Sequence, residues 1–546
     1  MKKAIFYLLA CVLLPVAASA DEGMWLVSTF RDVIYPQMKK EGLKLKPGEI
    51  YNEESPALCN AIVAVDGGMG TGSVISDKGL VITNHHVAYG DIHSLSTPAK
   101  NYLEEGFWAL EQKDELPLKG KTVTFLRQVR DVTDEAQAIR DSLEKANSLG
   151  IFGTRKVYGI LERKYGRDTP FEVECASMWK GKKYLLFYYE TYKDVRLVGA
   201  PPVKIGAFGG EQDNWGWPQH KGDFALYRVY GDAKGRPAAY SENNVPITPR
   251  KVLNVSTSGI HDGDYAMVIG FPGRTNRYMS SQAVREKEHV TNPVVIKARR
   301  DRLDIMLRHM EADPDVRLMY SDKYFNISNY ADYAKWENIC LRRLAAWIDA
   351  DPARRAEYGD LLANLKKGYE ARAEAVREKC YYQETWIRPS DVMMTANRLG
   401  TLVDRMQRDG IASVQDGDKN FAGVKSNTRR MMKDFDLATD KEVLTRMMES
   451  FIDNVPREMW GEQLPQLYDR FKGNVPALVD YAFENTCCTS YEKLCAWFAQ
   501  PRTAEEILSD PMAAMANSVS SRRFAEKLKQ AEETSGIDAD KEELRY

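Results

Sequence analysis

The sequence predicts an α+β protein, with strands ahead of about residue 276 and helices behind it. Three observations predict this. Short β-branched or apolar runs, broken by turn residues, recur from Leu58 to Phe271. Beyond Asn276 glycine thins out: only nine of the 37 glycines fall in the last 266 residues. Thirteen of the 20 methionines fall there instead, and fewer turns with more long unbranched side chains favour helix. A chain of 546 residues is long enough for several domains with substantial cores.

The first twenty residues read as a targeting segment. Lys2 and Lys3 form a basic start, and Ala4 to Ala17 an apolar stretch too short to span a bilayer comfortably. Ala18-Ser19-Ala20 is a small-residue cleavage site, so the mature chain is expected to begin at Asp21 and to be exported in soluble form. Leu9-Ala10-Cys11 loosely resembles a lipoprotein signal, but the apolar run continues past Cys11. No later run is long and apolar enough to be a membrane span. A net charge of −2 supplies no strong field toward nucleic acid. Without Cys11 seven cysteines remain, an odd number with no CxxC pair, and neither zinc nor another cofactor is expected.

From Asp21 to about Ser55, Met24, Trp25, Val27, Phe30, Val33, Ile34 and Met38 recur at helical spacing. Strands are expected at Asn60 to Val65, on either side of Asp77-Lys78-Gly79, and at Lys121 to Val129. Ala136, Ile139, Leu143, Ala146 and Leu149 then mark a helical insertion near 131–165. Strands resume at Phe171 to Trp179, Tyr184 to Tyr192, Val195 to Val203, Phe224 to Tyr230, Val252 to Val255 and Tyr265 to Phe271. The expected division is therefore a strand-rich domain over 21–275 and a helical domain over 276–546. In the latter, Trp336, Cys340, Leu344, Trp347 and Ile348 are expected to form one buried stripe, and Leu361, Leu365 and Tyr369 another.

Two stretches carry chemistry. Gly70 to Val87 reads GTGSVISDKGLVITNHHV, a hairpin that ends at His86. Gly209 to Tyr230 reads GGEQDNWGWPQHKGDFALYRVY, in which Asp223 opens a strand. An imidazole at a strand end and a buried carboxylate opening another can pair. The carboxylate accepts the Nδ1–H, selects the tautomer and stabilises the imidazolium as it forms. His ahead of Asp is also the chain order of chymotrypsin-like serine peptidases.

Together the two stretches resemble the bacterial dipeptidyl-peptidase seven and eleven family, chymotrypsin-like serine exopeptidases. The likeness extends over Asp21 to Leu26, Thr83 to Val87, Asp194 to Pro202, Asp213 to Trp215, Trp217-Pro218, His220 to Phe224, Asp264 to Met267 and Gly270 to Gly273. It implies a double β-barrel peptidase domain with a large inserted helical domain, and removal of dipeptides from free peptide N-termini. His86 matches the general base and Asp223 its partner. Asn214, Trp215 and, from the helical domain, Asn329 match residues that hold the substrate's α-amino end. A charged amine favours acceptors held at fixed distance, and closure at one end of a cleft would limit the product to two residues. The resemblance also allows a homodimer.

The chain departs from that family at the nucleophile. The expected Gly-Asn-Ser-Gly-Ser-Pro run is absent. After Asp223, Ser-Gly occurs only at Ser258-Gly259 and Ser535-Gly536, neither preceded by Gly-x. Serine attack needs a hydroxyl beside the base and backbone N–H groups aimed at the oxyanion. The expectation is a truncated barrel, a base and carboxylate without a nucleophile, and no turnover by this chain. Gln219 stands where arginine is usual, and Gly68 to Gly72 looks locally like the HtrA-type peptidases. An HtrA-like endopeptidase or chaperone, and a peptide-binding protein without catalysis, are the alternatives. A metal hydrolase on His85, His86 and His93 is disfavoured by the absence of a glutamate at helical spacing.

Overall fold

The structure, a computed structural model, describes residues 24–145, 153–210, 215, 218–273, 276, 279–350, 358 and 360–546. The targeting segment lies outside these. The protein is α+β, with one antiparallel sheet and a large helical part. Two compact units divide it: 1–82, 117–196 and 227–272 in the first, and 83–116, 197–226 and 273–546 in the second. Residues 83–116 and 197–226, which carry His86 and Asp223, thus group with the helical residues.

The strands are β1 Ile62–Val65, β2 Gly70–Val74, β3 Leu80–Thr83, β4 Phe107–Trp108, β5 Leu116–Pro117, β6 Val123–Asp131, β7 Glu172–Met178, β8 Lys183–Tyr192, β9 Asp194–Ala200, β10 Ala225–Gly231 and β11 Val245–Pro246. In the first unit the order is β10-β3-β2-β1-β6-β8-β7, with β11 against β10. The β2–β3 hairpin pairs Ser73 with Ile82 and Val74 with Val81. Gly79 takes a φ of 64° at its turn, a conformation that glycine adopts without penalty. On the other side of β2, Val63 of β1 faces Gly72 in β2 and Phe125 in β6. Val63, Val65, Val74 and Val81 are fully buried, so the alternating runs of the sequence do line one interior. The insertion forms helices α2 Thr133–Lys145 and α3 Gly153–Gly166, numbered after helix α1 His85–Leu95. Ala136, Val157 and Leu161 pack them onto Leu186 and Tyr188 of β8.

The second unit is built largely from α4 Asn292–Ala312, α5 Pro314–Ala350, α6 Asp360–Tyr381, α7 Asp391–Asp409 and α8 Leu437–Asn454, followed by shorter helices. Its main core joins Trp386, Leu399, Phe451, Val479 and Met515, with Trp386 against Phe451 at 4.6 Å. Among the described residues, no helix is long and apolar enough to cross a membrane.

Three local expectations are corrected. From residue 24, the described part of the 21–55 stretch forms only short helices, Phe30–Val33, Tyr35–Lys40 and Pro47–Ile50. Pro36 and Pro47 each sit in a first turn, where the missing N–H is harmless but an earlier helix cannot continue through. Residues 252–255 and 265–271 form no ladder. Tyr265, Met267 and Ile269 do alternate inward onto Phe30, Ile34, Leu43 and Ile50, but alternation needs a paired neighbour to become a strand. The 336–348 stripe is buried only in part: Ile348 is buried as expected and Trp336 half-buried, but the other three are not. Cys340, Leu344 and Trp347 are exposed, whereas Ala331, Ala334, Leu341, Ala345 and Ile348 are buried. The covered face sets Ala331, Ala334 and Ala345 beside Leu341 and Ile348, which lets a neighbouring helix approach closely, while Leu344 and Trp347 face outward. Leu361, Leu365 and Tyr369 are buried together as expected.

Candidate active site

Strand β3 ends at Thr83, and the chain turns at Asn84 directly into α1. His86 therefore lies in the first turn of a helix, three residues past the strand. Asn84 is the N-cap, with φ −81° and ψ 151°, but its side chain does not cap its own helix. It reaches Asp223 instead, donating from Nδ2 to the carboxylate Oδ2 at 3.1 Å and to the backbone carbonyl at 3.2 Å.

Asp223 takes over the capping. Its Oδ1 accepts the backbone N–H of His86 at 3.0 Å, a first-turn donor that no intrahelical carbonyl can satisfy. Its Oδ2 lies 2.7 Å from His86 Nδ1. One carboxylate thus fixes both the backbone and the ring of the same histidine across 137 residues of sequence. The negative charge also sits at the positive end of α1. Burial pulls the Asp223 carboxyl upward, but the His86 ring, its charge, its backbone N–H and Lys221 together hold it below the ordinary carboxylate range. An ionised Asp223 places the proton on Nδ1 and leaves Nε2 as the basic nitrogen. A side chain about one-third exposed can present that nitrogen to a substrate.

His85 points the other way and is fully buried. Burial drives its imidazole below the usual histidine value, with the Asp223 charge opposing, so it is a neutral packing group and not a second base. Its ring meets Tyr89 edge-on at 6.0 Å, and Tyr89 stacks on Phe325 of α5 at 4.4 Å. His93 Nε2, on the next turn of α1, lies 2.8 Å from the Leu318 carbonyl. The three histidines consequently do not converge on a common point for a metal.

One turn beyond Phe325, Asn329 accepts a hydrogen bond at Oδ1 from Trp215 Nε1 at 2.9 Å. The helix that supports α1 therefore also carries the amide that meets Trp215. Asn214 lies outside the described residues. Ser258 is exposed, with its Oγ 2.9 Å from that of Ser256. Ser535 closes a helix end, where its Oγ lies 3.0 Å from the Glu532 carbonyl. All seven cysteines of the described chain are free thiols. Cys487, Cys488 and Asp510 bring three ligand-type atoms within 4.8 Å. The carboxylate of Asp510, however, is already bonded by Thr486 Oγ1 and the N–H groups of Cys487, Met512 and Ala513. The Cys488 contact and burial raise the Cys487 thiol, which disfavours the thiolate a cation would need.

This base–carboxylate geometry occurs in a chain whose residues 20–545 match Peptidase S46. The chain belongs to the Peptidase S46 family. Among its relatives, the "Asp/Glu-specific dipeptidyl-peptidase" of Porphyromonas gingivalis is 35% identical over 551 residues, covering 95% of this chain and 74% of that one. The "Dipeptidyl-peptidase 7" of Phocaeicola vulgatus is 34% identical over 542 residues, covering 94% and 73%. The crystal structure of Porphyromonas endodontalis DPP11 in complex with the dipeptide Arg-Asp superposes with a TM-score of 0.79 at 27% identity, over 96% of this chain and 76% of that one. The resemblance read from the motifs is thereby confirmed at the level of family.

Sequence reasoning paired His86 with Asp223 but missed Asn84 and Tyr333, whose ring lies 4.9 Å from that of Trp215. For Asn84 a signal was present, since asparagine before a helix is a common N-cap. For Tyr333 there was none, because a helical tyrosine reads as core.

Proposed function

We propose that this S46 peptidase is a serine-type dipeptidyl aminopeptidase that releases dipeptides from peptides with a free N-terminus. The observation that carries the reading is the double grip of Asp223 on His86, which leaves Nε2 as a general base. His86 takes the proton of a serine nucleophile and later returns it to the leaving amine, while Asp223 stabilises the imidazolium between the two transfers. Trp215, Asn329 and Asn214 hold the substrate's α-ammonium group. The amide oxygen of Asn329 supplies an acceptor at a place set by the indole. The relatives' names support the dipeptide product.

The same reading includes a chymotrypsin-like barrel built on the antiparallel sheet, a division at about residue 275 between peptidase and helical domains, and export behind a cleaved signal to a bacterial periplasm or the medium. It also includes a homodimer. Within the 546 residues no serine has a glycine-flanked Gly-x-Ser-Gly setting, and Ser258 and Ser535 are engaged locally. The chain by itself is therefore expected to bind peptides without turning them over.

Calorimetry of the 546-residue chain with a free tripeptide and its N-acetyl form tests the binding. Selective binding of the free form supports the reading, and equal binding of both overturns it. Release of a chromogenic dipeptide by this chain would refute the lack of turnover, and cleavage of blocked peptides would favour an endopeptidase.

A further inference from the structure

Asn329, Tyr333 and Glu337 stand one turn apart along a single stripe of α5. The Trp215 indole spans the first two. Its N–H reaches Asn329 Oδ1 at 2.9 Å, and its ring leans on Tyr333 at 4.9 Å with the planes 60° apart. Tyr333 is itself tied down. Its hydroxyl donates to Glu337 Oε1 at 2.7 Å. Glu337 is paired with Lys287, and its Oε2 accepts from Asn292 Nδ2 at 2.9 Å. Asn292 Nδ2 also reaches Asn338 Oδ1 at 2.8 Å, and Lys287 Nζ lies 5.6 Å from the Tyr333 ring. Burial and Glu337 push the Tyr333 phenol up to about 12, so the hydroxyl remains a donor.

This anchoring has a purpose that a core tyrosine lacks. Trp215 is 40% exposed, and a single hydrogen bond on an exposed side chain is a weak constraint. Its amide partner must nevertheless keep one orientation to present oxygen and not nitrogen to a cation. A fixed aromatic wall supplies the missing constraint, because an indole resting on Tyr333 can donate to Asn329 in only one pose.

We propose that Tyr333 is a positioning residue for recognition of the substrate's α-ammonium group, acting through Trp215 on Asn329, with Glu337 and Lys287 as its anchor. This rests on the amine-binding reading above. The test measures affinity of the 546-residue chain for a free tripeptide and its N-acetyl form, in wild type, W215A, Y333A, Y333F and E337Q. The Trp215 indole ¹⁵N–H resonance, assigned by W215F, is followed in parallel. Y333A should weaken binding of the free peptide by roughly threefold to tenfold, the factor for one lost aromatic contact, and move the indole resonance. Y333F and E337Q should move that resonance by less and weaken binding by about twofold to threefold, a loss toward the low end for one hydrogen bond. If W215A leaves discrimination intact, the amine-binding reading itself fails. If W215A abolishes discrimination while the Tyr333 and Glu337 variants keep wild-type affinity and an unmoved resonance, only the positioning role fails. Should Y333A not fold, Y333F and E337Q decide the matter by the same two readouts.

Discussion

Gly206 lies so close against His85 that a Cβ at that position would come within 2.4 Å of the imidazole Cγ. The same Cβ would meet Cδ2 at 2.5 Å and Nδ1 at 2.7 Å, and the ring is fully buried with no room to retreat. This contact seats the start of α1, and hence the next residue, His86. Gly206→Ala is expected to cost about 2 kcal/mol by overpacking. Adding His85→Ala to that variant should recover part of the loss, as a double-mutant cycle by chemical denaturation would reveal.

The Asp223 carboxylate contributes to stability through its bonds to His86 and Asn84. Its folded pKa is depressed below the ordinary 3.8, so that contribution is complete above this value and is lost as pH falls through the lower, folded one. Asp223→Asn should therefore be less stable than wild type at neutral pH by about 1–3 kcal/mol, the range for a buried group left poorly paired. The gap should close in acid. Urea midpoints measured at neutral pH and below pH 3.8 compare the two directly.

Asp440 behaves in the opposite sense. Burial and the neighbouring Asp391 push it up to about 7, against the bonds it accepts from the N–H groups of Asp391 and Val392 and the charge of Lys323. A folded pKa raised from 3.8 gives stability that is fully present below 3.8 and lost as pH rises through about 7. Asp440→Asn removes the titration and keeps one acceptor. Its stability should decline less between those two pH values than that of wild type, as thermal midpoints across the range would show.

The two faces of α5 make a paired prediction. Leu341 is 8% exposed and Leu344 38% exposed. Leu341→Ala should cost about 2–3 kcal/mol through lost burial and an imperfectly filled cavity. Leu344→Ala should stay within about 0.5 kcal/mol of wild type. Equal losses at both positions would restore the stripe read from the sequence.

The stripe on α5 and the 265–271 stretch show where sequence reasoning reached its limit. Helical spacing correctly marked α5 as amphipathic, but two stripes on it carry apolar residues, and periodicity does not say which one a neighbour will cover. Ala331, Ala334 and Ala345 won because small side chains let helices approach closely. In 265–271 alternation correctly identified the inward residues Tyr265, Met267 and Ile269, yet a ladder also depends on a partner that no local pattern contains. The β2–β3 hairpin was legible throughout because its turn, pairing and burial all arise within fourteen residues, Gly70 to Thr83.

Local order was written in the sequence alone: the turn at Gly79, the alternating valines of β1 to β3, the helical second half, and the two residue types needed for a base and its carboxylate. Short-range sterics and hydrophobic periodicity act on neighbours, so they can be read from neighbours. The tertiary structure alone decided that Asp223 would hold both the backbone and the ring of His86, that Asn84 would brace Asp223 and not its own helix, and that Tyr333 would lie against Trp215. Those are contacts between residues more than a hundred positions apart. Their geometry exists only once the intervening chain has folded and excluded water from between them.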